Sequence, residues 1–143
     1  MNKKGFTLIE LLVVIAIIGL LSTLAVVALG SAREKARDSK RLSDLKQTQT
    51  ALELYYTDNS AYPTAASSTV IGTGAFACLN SIGFAATGCL SPYMGQVPSD
   101  PGSGTYYYVS ADGTTYTITA TLEGIVSGLS GTVQATPSGI AGS

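Results

Sequence analysis

Histidine is absent from this chain of 143 residues, and only two cysteines are present. Histidine is the side chain most often used as a general base and as a metal ligand at neutral pH. Its absence removes Ser–His and Cys–His nucleophile pairs and every imidazole metal site. We therefore predict that the protein is not an enzyme, with no catalytic residues and no cofactor.

Charge is also scarce, since only 12% of the residues are Asp, Glu, Lys or Arg. The length allows one small domain. All eight basic residues lie at or before Lys46. Beyond it the only charged residues are five acids: Glu53, Asp58, Asp100, Asp112 and Glu123. This mildly acidic distal region argues against a phosphate-binding surface, so we expect no nucleic acid among the partners.

The most apolar run covers residues 11–32, which are 22 residues without a charge. A membrane-spanning helix needs roughly 20 such residues. Glu10 stands at the start of the run, where a carboxylate is costly and needs a reason. One interpretation is a plain single-pass anchor with Glu10 at the membrane interface. Another is a secretory signal that is cleaved near the small residues Ala28 and Gly30.

A third interpretation comes from residues 4–10, Lys-Gly-Phe-Thr-Leu-Ile-Glu, which lead into the apolar run. This motif resembles the processing site of type IV pilins and of type II secretion pseudopilins. The resemblance implies that a prepilin peptidase cuts between Gly5 and Phe6 and that Phe6 becomes N-methylated. It also implies an assembly role for Glu10, which would meet the N-terminus of a neighbouring subunit.

The chemistry of Phe6 and Glu10 fits that processing. A cut after Gly5 creates an α-amino group on Phe6 with a pKa near 8. Glu10 lies four residues further on, on the same helical face and about 6 Å along the axis. Within an apolar assembly each charge must be paired, because a lone buried charge is very costly. We therefore expect Glu10 to set the register of each incoming subunit.

The absence of proline before Pro63 favours one continuous helix from about Phe6 to about Tyr56. Its second half is amphipathic and needs a partner layer. The apolar face of that half is predicted from spacings of three and four residues: Leu42, Leu45, Gln49, Leu52 and Tyr56. The alternative is two separate helices with a break at Gly30–Ser31.

A stretch of 41 residues without a charge, from Asn59 to Ser99, follows the helix. It is rich in Gly, Ala, Ser and Thr, and we predict an irregular connector with a short helix near Phe76–Ile82. Its low charge fits contacts with neighbouring subunits or a glycan-bearing surface. Cys78 and Cys89 lie in this connector, and an even pair in an exported domain indicates a disulfide, with two free thiols as the alternative.

Two runs rich in β-branched and aromatic residues, at 105–110 and 116–122, flank the Asp-Gly turn of Asp112. They predict an antiparallel hairpin. One face of it alternates along the chain and should lie on Leu45, Leu52 and Tyr56. That face comprises Tyr106, Tyr108, Tyr116, Ile118, Ala120 and Leu122. A third strand is expected near Thr132–Ala135, followed by a loose tail.

Major pseudopilins carry a calcium site in the loops near this hairpin, and the resemblance makes Asp100 and Asp112 weak calcium candidates. Calcium takes six to eight oxygen ligands, and two acids at turns are more often turn formers. We therefore predict no metal site. The lack of a full acidic cluster favours a pilus subunit over a pseudopilin.

Together these features predict an α+β fold, with one long N-terminal α-helix packed on a small antiparallel β-sheet. The predicted domains are a leader peptide at 1–5, a transmembrane and polymerisation helix half at 6–32, and an extracytoplasmic pilin-like globular domain at 33–143. The resemblance implies a structural subunit of a type IV pilus filament. The alternatives are a pseudopilin of a type II secretion system, or a minor pilin that acts in adhesion or DNA uptake.

The partners implied are identical subunits in a helical filament, the prepilin peptidase and the pilus assembly machinery. Before assembly the subunit would lie in the inner membrane as a single-pass protein. Lys3 and Lys4 would hold its N-terminus in the cytoplasm. After assembly it would lie in an extracellular filament.

Overall fold

A computed structural model describes residues 5–143 of the chain. Lys3, Lys4 and most of the predicted leader lie outside these residues. One helix, α1, runs from Leu8 to Asn59 without the alternative break at Gly30–Ser31, which confirms the predicted continuous helix. It ends where Ser60 takes a positive φ of 56° and donates its amide hydrogen to the Tyr56 carbonyl at 2.7 Å. The chain divides after Glu34 into two compact units.

The unit from Lys35 onward carries seven strands and one short 3-10 turn, Gly74–Phe76. Five strands form one antiparallel sheet in the order β1-β4-β5-β6-β7, and β2 and β3 form a separate hairpin. The strands are β1 Ala65–Val70, β2 Cys78–Asn80, β3 Gly83–Ala85, β4 Tyr107–Ser110, β5 Thr117–Val126, β6 Leu129–Thr136 and β7 Gly139–Gly142.

The predicted hairpin and third strand are confirmed as β4, β5 and β6. Tyr108 pairs with Ile118, and Ile118 pairs with Ala135. All six residues of the predicted alternating face are buried, in a core that also contains Leu45 and Leu52 of α1. This confirms the predicted α+β fold of a long helix on an antiparallel sheet.

The prediction of the buried helical face is wrong for one residue, Tyr56. Tyr55 is buried, whereas Tyr56 is 40% exposed. Tyr55 lies three residues after Leu52 and packs edge-on against Tyr93, with ring centroids 5.7 Å apart. Tyr56 packs instead on Tyr62 at the margin of the core, at 4.7 Å. Spacings of three and four are both helical, so the sequence pattern alone did not separate the two tyrosines.

The connector is more regular than expected, and the predicted short helix at Phe76–Ile82 is wrong. Only Gly74–Phe76 forms a helical turn, and the following residues enter β2. Leu79 is buried in the core and exchanges two backbone hydrogen bonds with Met94, at 2.9 and 3.1 Å. Earlier in the connector, β1 pairs with β4 through a bulge. The extended conformation is therefore favoured here because it forms backbone hydrogen bonds with distant parts of the chain.

The expectation of a loose tail is also wrong. Gly139–Gly142 forms β7 along the edge of β6, where Ala135 pairs with Ile140. The amide of Ser143 continues the ladder by donating to the Thr132 carbonyl at 3.0 Å. These backbone hydrogen bonds order a segment whose side chains carry little packing information.

Candidate functional site

The start of α1 forms a capping box between Thr7 and Glu10. The Thr7 amide and hydroxyl both donate to Glu10 Oε2, at 2.8 and 2.6 Å, and the Glu10 amide donates to Thr7 Oγ1 at 3.3 Å. This reciprocal arrangement satisfies donors at the helix start that otherwise have no partner. The capping box gives Glu10 a local role in addition to the predicted assembly role. The Thr-x-x-Glu spacing is the sequence signal that identifies the capping box.

Gly5 and Phe6, the residues on either side of the predicted cut, lie immediately before this capping box. Both are exposed, and no atom approaches the position that a Cβ would take on Gly5. Thr7 lies between them and the first helical residue, Leu8. The predicted scissile bond is therefore in non-helical, accessible backbone, where a peptidase could bind it.

The side chains of residues 6–32 are all exposed in the isolated chain. Among the described residues, α1 is the one helix that is long and apolar enough to cross a membrane, judged by length and composition. A contiguous apolar surface of this extent marks a membrane or protein interaction site. No residue of the described range 5–143 buries these side chains, as expected of a surface that contacts a bilayer or other subunits.

A second cluster of functional interest surrounds Arg41, which is buried on α1. Its guanidinium donates to Asp38 Oδ1 at 2.7 Å, to Glu123 Oε1 at 2.7 Å, and to both oxygens of Asp100 at 2.6 and 2.8 Å. The Arg37 guanidinium also forms a salt bridge with the Glu123 carboxylate. Asp38 also accepts the backbone amides of Glu123 and Gly124, at 3.0 and 2.8 Å. The cluster fastens α1 to β5 and to the turn before β4.

These contacts lower the pKa of each carboxyl group. Hydrogen bonds from Arg37, and then from Arg41, lower the pKa of Glu123 to about 2. The pKa of Asp100 is lowered chiefly by its bonds to Arg41. Burial acts to raise the pKa of Asp38, but the amides of Glu123 and Gly124 and the Arg41 guanidinium together lower it. All three groups are therefore carboxylates at neutral pH, as the buried guanidinium requires.

The two weak calcium candidates have separate partners. Both oxygens of Asp100 are bound to Arg41, and Oδ1 also accepts the amides of Gly102 and Gly104. A Cβ on Gly104 would lie 2.9 Å from the Asp100 carboxylate, so glycine is required for this close approach. Asp112 instead caps its own turn by accepting the amide and hydroxyl of Thr114, at 3.0 and 2.7 Å. Within residues 5–143, no group of three or more potential metal-binding side chains is present.

Cys78 and Cys89 are joined by a disulfide. Cys78 is buried at the start of β2, where its Sγ also contacts the Ala85 carbonyl of β3 at 3.4 Å. The amide side chain of Asn80 points to Cys89 Sγ at 3.6 Å. The bridge joins the start of β2 to the segment after β3, so the loop that it closes contains the β2–β3 hairpin.

Comparison with known proteins identifies two family matches that together cover most of the chain. Residues 1–30 match the family described as "Prokaryotic N-terminal methylation motif", and residues 28–131 match the family described as "Type II secretion system (T2SS), protein G". The chain belongs to the type II secretion system protein G family. No solved structure matches it.

Curated members of the protein G family resemble the chain over different lengths. The "Type II secretion system core protein G" of Klebsiella michiganensis is 37% identical over 110 residues, 76% of this chain and 75% of the relative. That of Pseudomonas aeruginosa is 33% identical over 116 residues, with the same two shares. That of Escherichia coli K12 is 46% identical over 63 residues, 44% of this chain and 43% of the relative. These relatives favour a pseudopilin over the pilus subunit that the sequence had placed first.

Proposed function

We propose that the chain is a structural subunit, a pseudopilin that polymerises with copies of itself after cleavage between Gly5 and Phe6 and N-methylation of Phe6. The observation that carries this proposal is the exposed apolar segment at 6–32, which begins at the accessible Gly5–Phe6 bond and the capped Glu10. A single continuous helix, α1, joins that segment to the folded unit. The role is structural and needs no catalytic group.

The proposed sequence of events follows from these parts. Residues 1–5 act as the leader, and residues 6–32 hold the subunit in the inner membrane with its N-terminus in the cytoplasm. Residues 33–143 form the domain on the other side. Cleavage frees the amino group of Phe6, and Glu10 of a neighbouring subunit supplies the opposite charge within the apolar assembly. The machinery that processes and assembles pseudopilins provides the remaining partners.

The direct test is the intact mass and N-terminal sequence of the full chain, recovered from cells that contain a prepilin peptidase. The expected product begins at Phe6 and carries one added methyl group. Gly5→Leu is the matched variant, because its side chain would lie in open space and should block only cleavage. A wild-type chain that keeps Met1, or that begins near Ser31, would refute the proposal.

A second measurement separates a pseudopilin from a pilus subunit. Deleting the gene in its host should abolish export of secreted proteins while surface filaments remain. Loss of surface filaments, adhesion or motility with export intact would instead restore the type IV pilus as the function. The loss of export is expected because the chain belongs to the type II secretion system protein G family.

A further inference from the structure

The folded unit differs in charge between its two halves. The half where α1 enters the folded unit, here called the entry half, contains α1 residues 35–46 and the side chains bound to them. It carries five basic and four acidic residues. These are Lys35, Arg37, Asp38, Lys40, Arg41, Asp44, Lys46, Asp100 and Glu123. The exit half, where α1 ends, carries three acidic residues and no basic one: Glu53, Asp58 and Asp112. The two halves are therefore complementary in sign, as surfaces that associate head to tail need to be.

The exit half contains an aromatic cleft of about 320 Å³ between the end of α1 and the β2–β3 hairpin. The ring of Phe84 packs on Phe76 and on Tyr108 beneath it, with centroids 5.0 and 5.1 Å apart. At the edge of the cleft, Ile82 is 88% exposed. The volume of the cleft lies at the lower end of the range for binding pockets, about 300–1,000 Å³.

The entry half carries an apolar projection, the tip of the β5–β6 hairpin. Ser127 and Gly128 form its two-residue turn, both with positive φ, at 53° and 79°. Such a turn keeps the two strands paired up to the tip. Ile125, two residues before the turn, is 74% exposed. Asp38 fixes the base of this tip by accepting the amides of Glu123 and Gly124.

The tip and the cleft lie at opposite ends of β5. Thr117 begins the strand beside the turn whose Gly113 carbonyl accepts the Tyr62 amide at 2.8 Å, and Tyr62 lines the cleft. From Thr117 to Ile125 the strand advances about 25 Å. A projection and a cleft at opposite ends of one strand cannot meet within one copy. A contact of this kind between copies is head to tail, so it produces an open helical polymer unless the rotation between successive copies closes a ring.

We infer that the β5–β6 tip of one copy, led by Ile125, seats in the aromatic cleft beside Ile82 of the next copy, with the basic entry half facing the acidic exit half. This inference rests on the proposed function and adds a second contact to the one between apolar helix segments. The partner is a second copy of this chain because one molecule carries the projection, the aromatic-lined cleft and the two surfaces of opposite charge.

The test uses the full chain, expressed with a prepilin peptidase and recovered as polymer by ultracentrifugation. Ile125→Asp should reduce the polymer about tenfold or more, since it removes a buried apolar side chain from the contact and places an acid against an acidic surface. Ile125→Lys should reduce it less, because that surface attracts a base. Leu90→Asp is the control, since Leu90 is 89% exposed but does not line the cleft.

Photo-crosslinking from benzoylphenylalanine at position 125 gives an independent measurement that introduces no charge. The expected product links two copies, from position 125 to residues 62–64 or 76–84. Links to other surfaces only, or equal polymer loss for Ile125→Asp and Leu90→Asp, would overturn the contact. So would wild-type polymer yields from Ile125→Asp. If the processed wild-type chain forms no polymer, the proposed function fails, and this contact fails with it.

Discussion

The guanidinium of Arg41 and the carboxylate of Asp100 are joined by two hydrogen bonds, Nε to Oδ2 at 2.6 Å and Nη2 to Oδ1 at 2.8 Å. Both side chains are only 2% exposed. The pair connects α1 with the turn before β4, which lies 59 residues later. It therefore ties the helix to the sheet side of the fold by charge as well as by apolar packing.

Replacing Asp100 with Asn should lower the free energy of unfolding of this unit by about 1–3 kcal/mol, because the buried guanidinium loses one of its three carboxylate partners. Urea unfolding of the full chain in detergent, followed by tyrosine fluorescence, measures the change. Asp112→Asn is the matched control, since Asp112 is exposed and bonds only within its own turn. A change within about 0.5 kcal/mol is expected there. Equal losses for the two variants would contradict the assigned role of Asp100.

Acid should destabilise the folded unit through Glu123. Its pKa in the folded protein, about 2, lies below its usual 4.5, because Arg37 and Arg41 bind the ionised form. The stability that it contributes is therefore complete above about pH 4.5 and is lost as the pH falls toward 2. Melting temperatures between pH 7 and pH 2 should show this decline for the wild-type chain and a shallower one for Glu123→Gln. Parallel curves for the two proteins would remove Glu123 from the explanation.

The capping box makes a separate prediction at the start of α1. Thr7→Val keeps the shape of the side chain but removes the hydroxyl that bonds Glu10, and loss of such a cap costs about 1 kcal/mol locally. The Glu10 amide hydrogen should then exchange with solvent about fivefold faster. Hydrogen exchange of the full chain in detergent measures this, and Thr7→Ser, which retains the hydroxyl, should remain close to wild type. Slow exchange in the valine variant would mean that the cap does not hold the helix start.

The disulfide between Cys78 and Cys89 should stabilise the folded unit by about 2–4 kcal/mol, because it restricts the unfolded chain. The variant with Cys78→Ser and Cys89→Ser should unfold at lower urea concentration than the oxidised wild type. Reduced wild type provides the control and should match the double variant. If oxidised wild type and double variant unfold together, the bridge does not contribute to stability.

The helix and the central strands could be predicted because their signals are local and repeated. The absence of proline before Pro63 allows α1 to run to Asn59. The period-two pattern from Tyr106 to Leu122 places the buried face of β4 and β5 on the core. In both segments, side chains alone specify which surface is covered.

The remaining strands could not be predicted because their identity depends on distant partners. β1, with the sequence Ala-Ala-Ser-Ser-Thr-Val, is largely exposed and pairs with β4 through a bulge. β7 is half glycine and follows β6 only by backbone pairing. Side chains that are small and mostly exposed carry no alternation. The segments β1 and β7 become extended because the neighbouring strand offers backbone hydrogen bonds.

The candidate site divides in the same way. Gly5, Phe6 and Glu10 belong to one local motif, so the sequence was sufficient to select them. The Arg41 cluster joins residues that are 59 and 82 positions apart. Arg37 and Arg41 stand in the same charged stretch of α1, and only the tertiary fold buries Arg41 among three carboxylates.

The burial of Arg41 also determines how the subunit responds to dissolved salt. Ions in solution weaken attractions between charges that water reaches, over about 10 Å at 0.1 M and about 3 Å at 1 M. The Arg41–Asp100 pair is out of their reach, so the stability that this pair contributes should persist at 1 M salt. Any change in polymer yield with ionic strength would then report on contacts between copies and not on unfolding of the copies themselves.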